Sequence, residues 1–148
     1  MFSHLKIKKA EMNINLLDKS NYLKGLFVTA RKDKQLTETE KSILKKLSQK
    51  LGFANDFYEE TISGLLANKY IPDDPIKFND SEVAKSFLGD ALKLIYSDGC
   101  ISDVEINWLK ETAEVNNIDI SWFEEQHKKI KEIPAQKIVS EFSLYSII

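Results

Sequence analysis

A chain of 148 residues, 43% hydrophobic and 30% charged, is sized for one globular domain and excludes a disordered polymer. Its net charge is −2 and Arg31 is its single arginine, so neither a basic field nor forked guanidinium contacts point to nucleic acid. Five glycines and three prolines leave few turns, which favours long helices over many short strands.

The first helical pattern covers residues 16–31, with Leu23, Leu26, Phe27 and Ala30 on one stripe. Gly25 lies inside it. It lowers helix propensity but lets another helix approach closely. Thr37 with Glu40 forms a capping box, in which each side chain bonds a backbone N–H at the helix start. The helix that follows buries Ile43, Leu44, Leu47 and Leu51, turns Lys41, Lys45, Lys46 and Lys50 outward, and stops at Gly52. Asn55 and Asp56 open a third helix, where Asp56 with Glu59 repeats the capping logic. Phe57, Ile62, Leu65 and Leu66 are its apolar anchors, and it runs out near Lys69. The segment YIPDDPIKFND carries two of the three prolines and reads as a linker.

Asp80 or Ser81 starts the most apolar helix, through Val83, Phe87, Leu88, Ala91, Leu92 and Ile95. So wide an apolar face predicts a central position. Asp98 and Gly99 end it. Ser102 with Glu105 caps the next helix, which carries Trp108, Leu109 and Ala113 and ends at Asn116 and Asn117. Ser121 with Glu124 caps another, carrying Trp122, Phe123 and Ile130. Pro134 suits the first turn of a last helix, with Ile138, Val139, Phe142 and Tyr145 on one side. The apolar end, 144–148, packs at home or meets a partner. No run alternates with period two for long enough to predict a strand, and the first dozen residues are unassigned.

Shifted by one fixed interval, the chain lies on itself: Asp33 on Asp98, Glu40 on Glu105, Leu44 and Lys45 on Leu109 and Lys110, Glu59 and Glu60 on Glu124 and Glu125. Conservative matches pair Leu36 with Ile101, Thr37 with Ser102, Glu38 with Asp103, Asp56 with Ser121, and Phe57 with Trp122. The preceding helices match more loosely, as in Tyr22 with Phe87, Leu23 with Leu88 and Phe27 with Leu92. One such unit cannot bury its own apolar face, whereas two packed together can. The expected fold is therefore all-α, a compact bundle of six to eight helices in one domain. It comprises two pseudo-symmetric units over residues 18–69 and 80–130, a linker over 70–79 and a C-terminal helix over 134–146.

The second unit reads YSDGCISDVEINWLKETAEVNNID, an apolar helix running into Asp98, Gly99 and Ile101, then a capped acidic helix start with Glu105. This pattern resembles the TerB-like (tellurite-resistance) family, which includes the N-terminal domains of some membrane-anchored DnaJ-type co-chaperones. The resemblance spans residues 18–130, and in the first unit Lys34 stands where the family pattern has glycine. It implies a small helical protein, cytoplasmic, linked to metal-ion or stress responses, with no established enzyme activity. It also implies scaffolding near membranes or chelation of a divalent cation through acidic residues. The matching positions are Asp98, Asp103 and Glu105, with Asp33, Glu38 and Glu40 in the first unit.

Taken by itself, the acidic turn does not make an EF-hand. Asp98, Gly99, Ile101 and Glu105 fit positions five, six, eight and twelve of that loop, but positions one and three hold Leu94 and Tyr96. A weaker shared site would form if the two units brought their turns together. Capping and dipole chemistry alone account for the same residue types, and that structural role is the favoured one. Cys100, the only cysteine, cannot form an internal disulfide and suits a reducing compartment. Asp98 and Asp103 beside it disfavour a reactive thiolate, and His4 and His127 are distant in sequence as soft-metal partners. His127 lies on a Lys-rich helix end and is expected to be solvated, while His4 supports no role. The lysines of the second helix, with Lys128, Lys129 and Lys131, suit an acidic partner or lipid headgroups, though a solvated face is the favoured reading. Peripheral membrane association is allowed but not indicated. Trp108 and Trp122 sit on apolar stripes and are expected in the core. No stretch of about 18 apolar residues exists to span a membrane, and no signal-peptide core opens the chain. Phosphate loops, HExxH, Gly-x-Ser-x-Gly and CxxC are all missing. The expected function is a non-enzymatic adaptor with a protein partner, the alternative a divalent-cation binder.

Overall fold

Apolar side chains at three- and four-residue spacing produce six α-helices among the described residues: α1 Leu16–Arg31, α2 Glu38–Lys50, α3 Asn55–Ala67, α4 Ser81–Tyr96, α5 Asp103–Val115 and α6 Ile120–Lys131. The computed structural model describes residues 14–31, 37–67, 74–97, 101–134 and 137–138, and none of these forms a strand. Asp33, Asp98, Cys100, His4, the side chains of Leu65 and Leu66, and Val139, Phe142 and Tyr145 of the expected last helix lie outside the described residues.

The helix starts follow local chemistry. At α2 the capping box is complete: Glu40 N–H donates to Thr37 Oγ1 at 3.0 Å, and Thr37 N–H donates to Glu40 Oε1 at 2.9 Å. Asp80 caps α4 by accepting Glu82 N–H at 2.8 Å, and Ser102 caps α5 by accepting Val104 N–H at 3.2 Å. At α6 the expectation is corrected. The cap is Asp119, whose Oδ1 accepts both the N–H and the hydroxyl of Ser121 at 3.0 Å, and Ser121 sits inside the first turn. A carboxylate there accepts a free N–H of the first turn and adds a favourable interaction with the helix dipole. At α3 Asp56 lies in the first turn of a helix that already starts at Asn55. Tyr58, not Phe57, enters the core and donates its hydroxyl to the Lys41 carbonyl at 3.0 Å, while Phe57 stays exposed and stacks on Phe53 at 4.8 Å.

Two helices end alike. After α2, Gly52 takes a φ of +92°, its N–H donates to Gln49 O, and Phe53 N–H donates to Ser48 O. After α5, Asn117 takes a φ of 57°, its N–H donates to Glu114 O, and Ile118 N–H donates to Ala113 O. Both are Schellman closures, and both sit where the sequence places glycine or asparagine, the residues that tolerate left-handed backbone.

The central helix is α4, which packs on α1, α5 and α6; α1 also meets α2, α2 meets α3, and α5 meets α6. Val83, Phe87, Leu88, Ala91, Leu92 and Ile95 are all buried, as its wide apolar face requires. Gly25 makes room for α4 to lie close against α1. A methyl group built there would stand 2.6 Å from the Phe87 ring and 2.9 Å from Ile76.

The segment before α4 is more than a linker. Phe78 is buried, with its ring centroid 5.3 Å from Phe87 and 6.2 Å from Tyr22. Two side chains replace the backbone partners this segment lacks. The Asp18 carboxylate, in the first turn of α1, accepts Asn79 N–H at 2.9 Å. Asn116, closing α5, accepts Phe78 N–H at 2.8 Å and donates to Ile76 O at 2.7 Å and Thr112 O at 2.8 Å. A buried amide that bonds one N–H and two carbonyls serves the chain as a missing strand partner would.

Candidate functional site

Each helix start after an acidic turn exposes one carboxylate and buries another. Glu38 and Asp103, at the first positions of α2 and α5, are exposed, whereas Glu40 and Glu105 are each 1% exposed. The Glu40 carboxylate accepts the Thr37 N–H in the capping box, and Glu38 pairs with Lys41 at 3.2 Å. Asp33 and Asp98, the remaining candidates, lie outside the described residues. Among the described residues no three His, Cys, Asp or Glu side chains converge to hold a metal ion. Beside Asp103, Ile101 and Val104 remain exposed, Val104 at 60%. The start of α5 thus shows solvent an acidic group flanked by two aliphatic ones.

Where α4 ends, Tyr96 meets α6. Its hydroxyl lies 2.8 Å from His127 Nε2, and both side chains are half-buried. The expectation of a solvated His127 is therefore corrected: Tyr96 and Phe123 both pack against the ring. Burial lowers the His127 pKa, and the lysines Lys131 and Lys110 add to this against the opposing pull of Glu124. The couple is satisfied when Nδ1 carries the proton and Nε2 accepts from the phenol. Burial raises the Tyr96 pKa as well. Across the same helix pair, the Lys85 ammonium lies 5.6 Å from the half-buried Trp122 ring, while Trp108 is buried.

A second polar group lies deep between α1 and α4. Tyr22 donates its hydroxyl to Asp90 Oδ2 at 2.6 Å and lies 2.7 Å from Ser86 Oγ. The phenol has one proton, which goes to Asp90, so the serine hydroxyl donates to the phenolic oxygen. All three residues are buried, and burial followed by the Asp90 charge drives the Tyr22 pKa well above its ordinary range. Sequence patterning offered no notice of this network beyond one irregularity, a carboxylate at position 90 inside the most apolar helix.

A cleft of about 360 Å³ lies between α1, residues 74–77 and α5. Lys24, Asn21, Asp74 and Lys77 edge it over Val28 and Trp108, and Lys77 is drawn across to the Val115 carbonyl at 3.3 Å. No helix among the described residues is long and apolar enough to cross a membrane. No family model matches the chain, and neither a curated protein nor a solved structure is similar to it.

Proposed function

We propose that the chain is a non-enzymatic interaction domain of TerB-like type, a cytoplasmic adaptor in a metal-ion or tellurite stress response that binds a protein partner. The observation that carries this reading is the recurrence of its elements. Helices starting at 16, 38 and 55 are followed by helices starting at 81, 103 and 120, each at the same interval from its counterpart. The capping residues Thr37 and Ser102 keep that interval, as do the left-handed residues Gly52 and Asn117 and the buried Glu40 and Glu105. Two copies of one helical unit, joined through α1 and α4, account for this spacing and match the duplicated acidic turn on which the family resemblance rests.

The partner surface is the start of α5, where Ile101 and Val104 flank Asp103. Aliphatic side chains left in water next to a carboxylate suit a partner helix with one apolar and one basic face. Immobilised full-length chain should capture a specific protein from native lysate, and Ile101→Ser with Val104→Asp should abolish that capture. Equal capture by both forms, or none by either, rejects the assignment.

The alternative reading is a divalent-cation site at the acidic turns, favoured by the exposed carboxylates of Glu38 and Asp103. A native-state ligand raises the melting temperature as its concentration exceeds its dissociation constant. Calcium, magnesium, manganese or zinc at millimolar concentration would then stabilise the wild type and leave an Asp103→Asn, Glu105→Gln variant unmoved. Equal shifts in both would place the ion elsewhere.

A further inference from the structure

The cleft between α1, residues 74–77 and α5 holds about 360 Å³, inside the range of about 300–1,000 Å³ usual for small-molecule sites. Its floor is apolar: Val28 and Trp108 line it, and each is 4% exposed. Its polar groups come from two separate elements. Asn21 and Lys24 lie one turn apart on α1, and Asp74 and Lys77 stand on the segment before α4. These four side chains do not satisfy one another. Among the described residues no ion pair joins Asp74 to either lysine, and Asn21, Lys24 and Asp74 have no side-chain partner. Lys77 has one, the Val115 carbonyl at 3.3 Å, and an ammonium keeps two further donors after that bond. The wall that carries Asp74 and Lys77 is already fixed, because Asn116 holds Ile76 C=O and Phe78 N–H on either side of Lys77. A ligand therefore does not have to order it.

We propose that this cleft binds a small organic monoanion, a single carboxylate on a flat apolar body. Charge sets the class. Two ammonium groups against one carboxylate leave one positive charge, which one ligand carboxylate neutralises. A nucleotide or polyphosphate would bring several negative charges against Asp74 and is disfavoured. Lys24 and Lys77 meet the ligand carboxylate, and the Asn21 amide donates to it. The apolar body lies over Val28 and Trp108, where burial favours it. Asp74 has nothing to accept from a bare carboxylate, so its repulsion limits the affinity. The proposal uses none of the residues of the α5 partner surface and stands apart from the adaptor reading.

The test titrates the isotope-labelled full-length chain with benzoate, and follows the amide signals and the Trp108 indole N–H. Benzamide, the neutral isostere, and inorganic phosphate are the comparisons. Benzoate should saturate with a dissociation constant on the order of 1 mM and move the signals of Asn21, Lys24, Lys77 and the Trp108 indole most. Benzamide and phosphate should each bind at least about tenfold more weakly, one lacking the charge and the other the apolar body. Lys24→Met changes an exposed residue and should weaken benzoate binding about 3- to 10-fold. Asp74→Asn should instead tighten it by roughly 2- to 5-fold. A general loss of structure cannot move two variants in opposite directions. Shifts that do not saturate or that centre elsewhere overturn the proposal. So do equal binding of benzamide or phosphate, and an affinity that Lys24→Met leaves unmoved.

Discussion

At position 25 a side chain is absent because Phe87 occupies its place. The Phe87 ring is held by Tyr22, Phe78 and Trp108, so it cannot swing aside. Gly25→Ala therefore sets a helix-propensity gain of about 1 kcal/mol against an overpacking cost of about 1–3 kcal/mol, and the cost prevails. Gly64 is the opposite case. It lies in α3 with no atom of the described residues within 4 Å of an added methyl group, so Gly64→Ala keeps the gain of about 0.5–1 kcal/mol. Urea midpoints of the two variants should move in opposite directions; movement in the same direction would mean that Phe87 can yield. Tyr58 is a further case where place decides chemistry, since burial and the neighbouring Glu59 push its pKa up to about 12.

Among the elements, the stretch before α4 depends on side chains more than on its own backbone. Asn116 supplies two of its bonds and is buried, so Asn116→Ala removes the partners of Phe78 N–H and Ile76 C=O inside the protein. The expected loss is about 3 kcal/mol, well above an ordinary helix-cap deletion of about 1 kcal/mol. Hydrogen exchange should locate it: the Phe78 amide should lose protection before the amides in the middle of α4. Equal loss in both places would mean that the segment and α4 open together. The sequence signalled Asn116 as a helix stop, which it is, but not as a clamp. Its partners Phe78 and Ile76 lie on the far side of α4 and α5 in the chain, and no local pattern reports such a distance.

For the whole molecule, the His127 couple links packing to pH. Its folded pKa lies below the ordinary value of 6.5, chiefly through burial, so the folded state binds fewer protons than the unfolded state in the window between the two values. Its contribution to stability is complete above pH 6.5. It falls as pH drops from there toward the folded pKa, and is level below that. Urea midpoints measured from about pH 8 to pH 5 should fall more steeply for wild type than for His127→Gln, and parallel profiles would show that the couple carries no proton linkage. Tyr96 binds α4 to α6 through this residue, so the variant also tests whether the two helices need the couple to pack.

Whatever repeats at short range was legible in the chain alone. The apolar stripes predicted the six helices found among the described residues, glycine and asparagine marked the two Schellman closures there, and Thr37 with Glu40 specified a capping box that forms in full. Local alternatives were decided less well. Asp119 prevailed over Ser121 as a cap, and Tyr58 over Phe57 as an anchor, because neighbouring positions offer the same residue chemistry and the choice between them is made by the packed helix. The contacts between distant residues came only with the packed fold: Tyr22 with Asp90, Asn116 with Phe78, Tyr96 with His127. Range explains the division. Helix propensity and capping act within about four residues, whereas a buried polar group finds its partner only once the chain has brought distant helices together.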